Sequence, residues 1–345
     1  MIPAGAFEES LARLFGPIRP LLDDPTVSEI MINGPAEIWI ERRGKLQRTA
    51  ASFPDRAALE AALTNVSQYA GRPLDAERPI LEAQLPDGSR IEAILAPLAD
   101  PGPSVAIRRF TRSSLTIERL VALGSLTPAA ARLLERLIVR GRNVVVSGGT
   151  GTGKTSLLAA LSGFVPRASR VVVIEDTREV QLQRPHAVYL ESRSADERGR
   201  GRVSIRDLLR ASLRLRPDRI VVGEVRGGEA LDLIQAMSTG HGGSLTTVHA
   251  SSPIGALRRI ETLALMADSG LPLGALRAQI AAAVEVVIQA ERTRDGKRRV
   301  ATIAAVRGLS SAGEYRVASL LRRNRTGELV ATIRKRKETV DVQSP

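Results

Sequence analysis

The sequence predicts an α/β protein: a mainly parallel, buried sheet with flanking helices, preceded by a smaller α+β domain. Three observations predict it. From residue 127 onward, short apolar runs alternate with helical stretches. Most of those runs are apolar at nearly every position, as in strands covered on both faces. One of them, "NVVVSG", leads into a glycine-rich loop and then a helix. A length of 345 residues leaves room for two domains, at a typical size of about 150 residues each.

The elements follow in order. Residues 5–16 have the spacing of a short amphipathic helix. Residues 28–34 ("SEIMING") and 36–42 ("AEIWIER") read as strands around a Gly-Pro turn. "RAALEAALTNVSQYAG" has helical spacing and stops at Gly71. "SRIEAILA" and "PSVAIRRF" read as two more strands, which makes residues 1–112 an α+β domain. Residues 113–126 are a linker, with a hydroxyl-rich hinge and a short helix ending near Gly124. The second domain spans 127–345 and starts with a helix whose first residue is Pro128. Its strands are "NVVVSG", "RVVVIED", "AVYLE", "RIVVGE", "SLTTVHA" and "VEVVIQA". From about residue 301 the pattern gives a few short strands and a basic tail, "RKRKETVDVQSP".

Composition narrows the function classes. Apolar residues are 43% and charged residues 25%, as in ordinary globular proteins. No stretch nears the roughly 18 apolar residues of a membrane span, the start does not read as a secretory signal, and there is no cysteine. These features lead us to expect a cytoplasmic protein without disulfides or thiolate metal sites. The net charge of +13 suggests an acidic partner: nucleic acid, an anionic membrane surface or acidic protein segments. Aromatics are only 3%, which weighs against a single-strand binder with stacking platforms.

Residues 148–155, "GGTGTGKT", fit G-x-x-x-x-G-K-[ST]. Glycines let successive backbone N–H groups converge on phosphates, Lys154 reaches the β/γ-phosphates, and the Thr155 hydroxyl ligates Mg²⁺. The candidate ATP-binding set is Gly148, Gly149, Thr150, Gly151, Thr152, Gly153, Lys154, Thr155 and Ser156, with the helix N-terminus aimed at the anion. Two further strands end in acids: "RVVVIED" in Glu175 and Asp176, and "RIVVGE" in Glu224. In parallel sheets ligands bind at carboxyl ends of strands, so these acids are expected to face the crevice of the loop. "TGHGGSLTTVHA" carries His241 and His249, where a histidine could contact a γ-phosphate, while His186 reads as structural. Arg206, Arg210 and Arg214 share one helix face, either a solvated or salt-bridged face or a basic subunit rim.

Four segments occur in a fixed order: "GGTGTGKT", "IEDTREVQL", "LRLRPDRIVVGEVRGGEALDL" and "TGHGGSLTTVHA". In this the chain resembles the type II/IV secretion traffic ATPases, most of all the CpaF/TadA-type ATPases of Tad (Flp) pilus assembly. "ERPILEAQLPDGSRIEAILAPL", "SVAIRRF" and "LPLGALRAQIAAAVEVVIQ" look like that group too. Its layout and its "IEDTRE" segment are also similar to conjugal-transfer ATPases of type IV secretion. The resemblance implies a RecA-like P-loop ATPase domain, a hexameric ring, and a nucleotide between the two domains of each protein. Lys154 and Thr155 correspond to the Walker A pair, Glu175 to the Asp-box glutamate that polarises the attacking water, and Glu224 to the Walker B glutamate near Mg²⁺. His249, with His241, falls in the His box. Arg90 and Arg108 stand where the family sends arginines to the phosphates, with Arg109 as a one-residue alternative. The implied partners are further copies of the chain and an inner-membrane pilus or secretion platform. A nucleic-acid translocase and a non-catalytic nucleotide-gated scaffold are the rival readings.

Overall fold

The computed structural model describes residues 4–110, 115–182, 184–195, 199–293, 295–324 and 327–332. The hinge at 111–114 and the basic tail from 334 lie outside the described residues. The chain divides into two compact units: Met1–Ser113 with Arg193–Val203, and Ser114–Ser192 with Ser204–Pro345.

In the first unit, α1 (Ala4–Leu14) and α2 (Arg19–Asp23) precede strands β1 (Val27–Asn33), β2 (Ile38–Arg42) and β3 (Lys45–Arg48). Then come α3 (Arg56–Ala70), β4 (Ile80–Gln84), β5 (Arg90–Ile94) and β6 (Ser104–Arg108). The strands form one antiparallel sheet in the order β3-β2-β1-β6-β5-β4. Alternate residues face in, as expected of a sheet covered on one side. Ile30, Ile32, Ile91 and Ile107 are buried with Leu59, Leu63 and Val66 of α3. The Asp55 carboxylate caps α3 by accepting from Ala58 N, and Gly71, at φ 63°, closes it.

The second unit begins with α4 (Ile117–Ala122) and α5 (Pro128–Val139). Its elements continue as β7 (Val144–Gly148), α6 (Lys154–Ser162), β8 (Val171–Glu175), β9 (Ala187–Glu191), α7 (Ile205–Ser212), β10 (Arg219–Val222) and α8 (Glu229–Ser238). It ends with β11 (Leu245–His249), α9 (Pro253–Leu265), α10 (Leu273–Ala283), β12 (Val286–Arg292), β13 (Arg298–Leu309), β14 (Tyr315–Arg323) and β15 (Leu329–Ala331). Among the described residues its nine strands run β15-β14-β13-β12-β7-β11-β10-β8-β9. From β12 to β9 every pairing is parallel. Residues of β7 alternate between two cores: Val144 and Val146 pack with Leu134 and Leu158, whereas Val145 packs with Leu233, Leu257 and Ile280. Burial on both faces explains why these strands read as unbroken apolar runs.

Two features refine the sequence reading. The pattern predicts a few short strands after residue 301, but β13 has 12 residues and β14 has 9, a long antiparallel hairpin that extends the sheet. Register shifts at Ile303/Ala304 and Val306/Leu309 break the two-residue period and hide its length in the sequence. Of the readings for the arginine face of α7, the salt-bridged one applies to two of its three arginines. Arg206 Nε and Arg210 Nε donate to the two carboxylate oxygens of Asp232 on α8, at 2.6 and 2.7 Å. Arg214 lies past the end of α7 and is exposed.

Candidate active site

Strand β7 delivers the glycine loop. A Cβ on Gly148 would stand 2.5 Å from Thr152 Oγ1 and 2.8 Å from the Ala290 carbonyl, so only glycine fits there. Gly151 and Gly153 have φ of 68° and 84°, the left-handed region that glycine adopts without steric cost. Thr150 is exposed, Thr155 half-buried and Ser156 exposed around the start of α6. Helix α6 has no side-chain cap, which leaves its first N–H groups available to an anion. The Gly149 carbonyl accepts from Thr152 Oγ1 at 2.9 Å and from Lys154 Nζ at 3.1 Å.

The sheet order does the rest. Strands β7, β11, β10 and β8 are neighbours, all parallel, so their carboxyl ends form one row. Lys154 follows β7, His249 ends β11, Glu224 follows β10, and Glu175 ends β8. Lys154 Nζ lies 3.1 Å from His249 Nε2, which lies 2.9 Å from Glu224 Oε1. Arg226 donates through Nε and Nη2 to Glu224 Oε2, at 3.0 and 2.7 Å. Its Nη1 stands 3.8 Å from Asp176 Oδ2. One imidazole nitrogen cannot both accept from Lys154 and donate to Glu224, so His249 serves one at a time. Burial and the adjacent Lys154 hold its pKa below the usual histidine value.

Glu175 is the most enclosed acid of the row, only 4% exposed. Burial pushes its pKa up to about 7, against hydrogen bonds from the Val180 and Glu179 amides that favour the anion. Both carboxylate oxygens accept from Val180 N, at 3.0 and 3.2 Å. Gly223 makes room for it: a Cβ there would lie 2.8 Å from Glu175 Cγ.

Not every candidate joins this row. His241 precedes β11, beside the Asn143 that leads into β7, so it sits at the amino edge of the sheet. His249, at the other end of the same strand, is the histidine that reaches Lys154. His186 is exposed, with Nε2 2.9 Å from Arg170 Nη1. In the first unit Arg90 and Arg108 face each other across β5 and β6 on the outer side of the sheet. Arg109 instead turns its guanidinium onto the Asp24 carbonyl. Sequence reasoning missed Arg226, although it stands two residues after a candidate acid. It also missed Ser147 and Gln289, hydrogen-bonded at 2.6 Å beneath the loop.

The chain matches the type II/IV secretion system protein family over residues 12–330. The chain belongs to that family. Its members are type II/IV secretion ATPases. The conjugal transfer protein TrbB of Rhizobium radiobacter is 38% identical over 281 residues, covering 80% of this chain and 83% of TrbB. The type IV secretion system protein PtlH of Bordetella pertussis is 35% identical over 312 residues, covering 83% of this chain and 92% of PtlH. The ATPase DotB of Legionella pneumophila shares the fold, with a TM-score of 0.57 at 21% identity, covering 82% of this chain and 78% of that one.

The residues fit the nucleotide and Mg²⁺ that such ATPases use. The loop closes only without side chains at its glycines, a buried lysine lies against it, and no side chain caps its helix. The Thr155 hydroxyl and the Glu224 carboxylate are hard oxygen donors of the kind Mg²⁺ takes alongside phosphate oxygens.

Proposed function

We propose that this chain hydrolyses ATP at the row formed by Lys154, His249, Glu224 and Glu175, and that a hexamer of it powers a secretion or pilus machine. One observation carries the reading: four adjacent parallel strands bring a glycine loop, a histidine and two acids to one edge, where His249 lies within contact distance of both Lys154 and Glu224. Lys154 trades the Gly149 carbonyl and His249 for the phosphates. That exchange leaves His249 Nε2 to Glu224 alone. Thr155 and Glu224 would hold Mg²⁺, which when bound would offset charge on the phosphates. Glu175, when ionised, accepts the proton of the attacking water. Arg90 and Arg108 add positive charge to the transferring phosphoryl group, a role that rests on the family likeness. The protein works in the cytoplasm, docked through partners on an inner-membrane platform. No helix among the described residues is long and apolar enough to cross a membrane.

The test is phosphate release by the purified chain. Lys154→Ala abolishes turnover, and Glu175→Gln binds ATP but turns it over slowly. Full activity of Lys154→Ala would overturn the reading. For the machine, the sequence resemblance favours Tad pilus assembly. The conjugal and type IV secretion names of TrbB and PtlH favour a second reading, type IV secretion. Deleting the gene in its host separates them: loss of surface pili supports the first, loss of DNA or protein export with pili intact the second.

A further inference from the structure

The glycine loop has a second neighbour that the reaction above does not use. Strands β12 and β13 pair antiparallel, with Arg292 directly opposite Arg298. Like charges opposite each other on a ladder are destabilising, yet this pair stands beside the glycine loop of the anion site. Arg298 Nε donates to the Gly151 carbonyl at 2.9 Å. A Cβ on Gly153 would lie 3.3 Å from Arg298 Cδ, and one on Gly151 3.4 Å from Arg292 Nη1. The stem of Arg298 therefore covers one left-handed glycine while its head holds the carbonyl of the other. Its backbone is fixed in turn. Ser125 Oγ donates to the Arg298 carbonyl at 2.7 Å, and Val300 N donates to the Ser125 carbonyl at 3.0 Å.

We propose that Arg298, with Arg292 beside it, is a positioning residue that sets the anion-binding form of the phosphate loop and raises affinity for the polyphosphate of a nucleoside di- or triphosphate. The inference rests on the ATPase reading. In a trans peptide the carbonyl and the following N–H point in opposite directions. Holding the Gly151 carbonyl toward Arg298 thus turns the Thr152 N–H away from it and fixes one donor of the nest that phosphates require. Because the loop glycines have the widest conformational freedom of any residue, an external clamp on two of them lowers the ordering cost at binding. The guanidinium charges add attraction for the anion without touching the transferred group.

The experiment is equilibrium binding of a fluorescent ADP analogue and steady-state phosphate release by the full chain. It compares wild type, Arg298→Ala, Arg298→Lys and Lys154→Ala, with melting temperatures alongside. Arg298→Ala should weaken ADP about tenfold, the scale of one lost charge-assisted hydrogen bond. KM for ATP should rise in parallel while kcat holds, and Arg298→Lys, which still donates and carries charge, should recover most of the affinity. Wild-type affinity in Arg298→Ala overturns the proposal. So does an equal loss in both variants with a fall in melting temperature, which marks a purely structural role. Failure of the ATPase reading looks different: wild type itself then fails to bind ADP, or binds it no better than Lys154→Ala.

Discussion

In the proposed reaction Glu175 is the general base. Its pKa of about 7 is raised by burial, so near neutral pH it titrates as a general base should. The base form is the ionised one. Turnover should therefore climb as pH passes through about 7 and level off above it, which a pH–rate profile on the full chain checks. Glu175→Gln removes the proposed base and should lower kcat by about 10² to 10⁴ while ADP binding persists. Stability carries the same titration with a definite sign. A carboxyl whose folded pKa lies above its unfolded value is most favourable at low pH, and that contribution is lost as pH rises through the folded pKa. The melting temperature of Glu175→Gln should thus gain on wild type between about pH 4.5 and 7. A constant difference across that window would mean that Glu175 is ionised in the folded protein at all these values.

The elements matter because they place these groups, and glycine and aspartate positions show how. At the end of β10, Gly223 leaves the space that Glu175 fills from β8. Gly223→Ala should cost about 1–3 kcal/mol through overpacking, push Glu175 aside, and lower turnover beyond what the stability loss explains. Urea melts and kcat on the same preparation check both. Helix α7 is fastened to α8 through Asp232, which is 8% exposed and bonded to Arg206 and Arg210. Asp232→Ala should cost about 1 kcal/mol, since both arginines retain access to water and need no buried partner. These cases also mark what the sequence makes legible. The phosphate loop, Glu175, Glu224 and His249 are readable because each sits where an apolar strand ends, a local signal. Asp232 meets Arg206 across 26 residues, and Arg298 meets Gly151 across 147, so no spacing pattern announces either contact. The extended β13–β14 hairpin was obscured for a different reason, since its bulges break the alternation that identifies strands.

At the scale of the whole chain, the net charge of +13 invites a nucleic-acid reading. Several of its arginines have internal work, however. Arg206, Arg210, Arg277 and Arg299 pair with acids, while Arg298 and Arg323 hold backbone carbonyls. DNA should therefore leave turnover unchanged at low salt; stimulation there would revive the translocase. Within the first unit, two neighbouring arginines have different surroundings. Arg108 lies on the exposed face of β6, opposite Arg90. Arg109 hydrogen-bonds the Asp24 carbonyl and ties the strand end to the start of the sheet. Removing each should then move a different quantity. Arg108→Ala should lower kcat by about 10² or more, as expected when a cation is lost from a phosphoryl-transfer site, with the melting temperature held. Arg109→Ala should lower the melting temperature, by an amount matching roughly 1 kcal/mol for a net hydrogen bond, with turnover per folded molecule held. Measured side by side, the two variants decide which arginine acts on the phosphate, because the opposite pattern would transfer that role to Arg109.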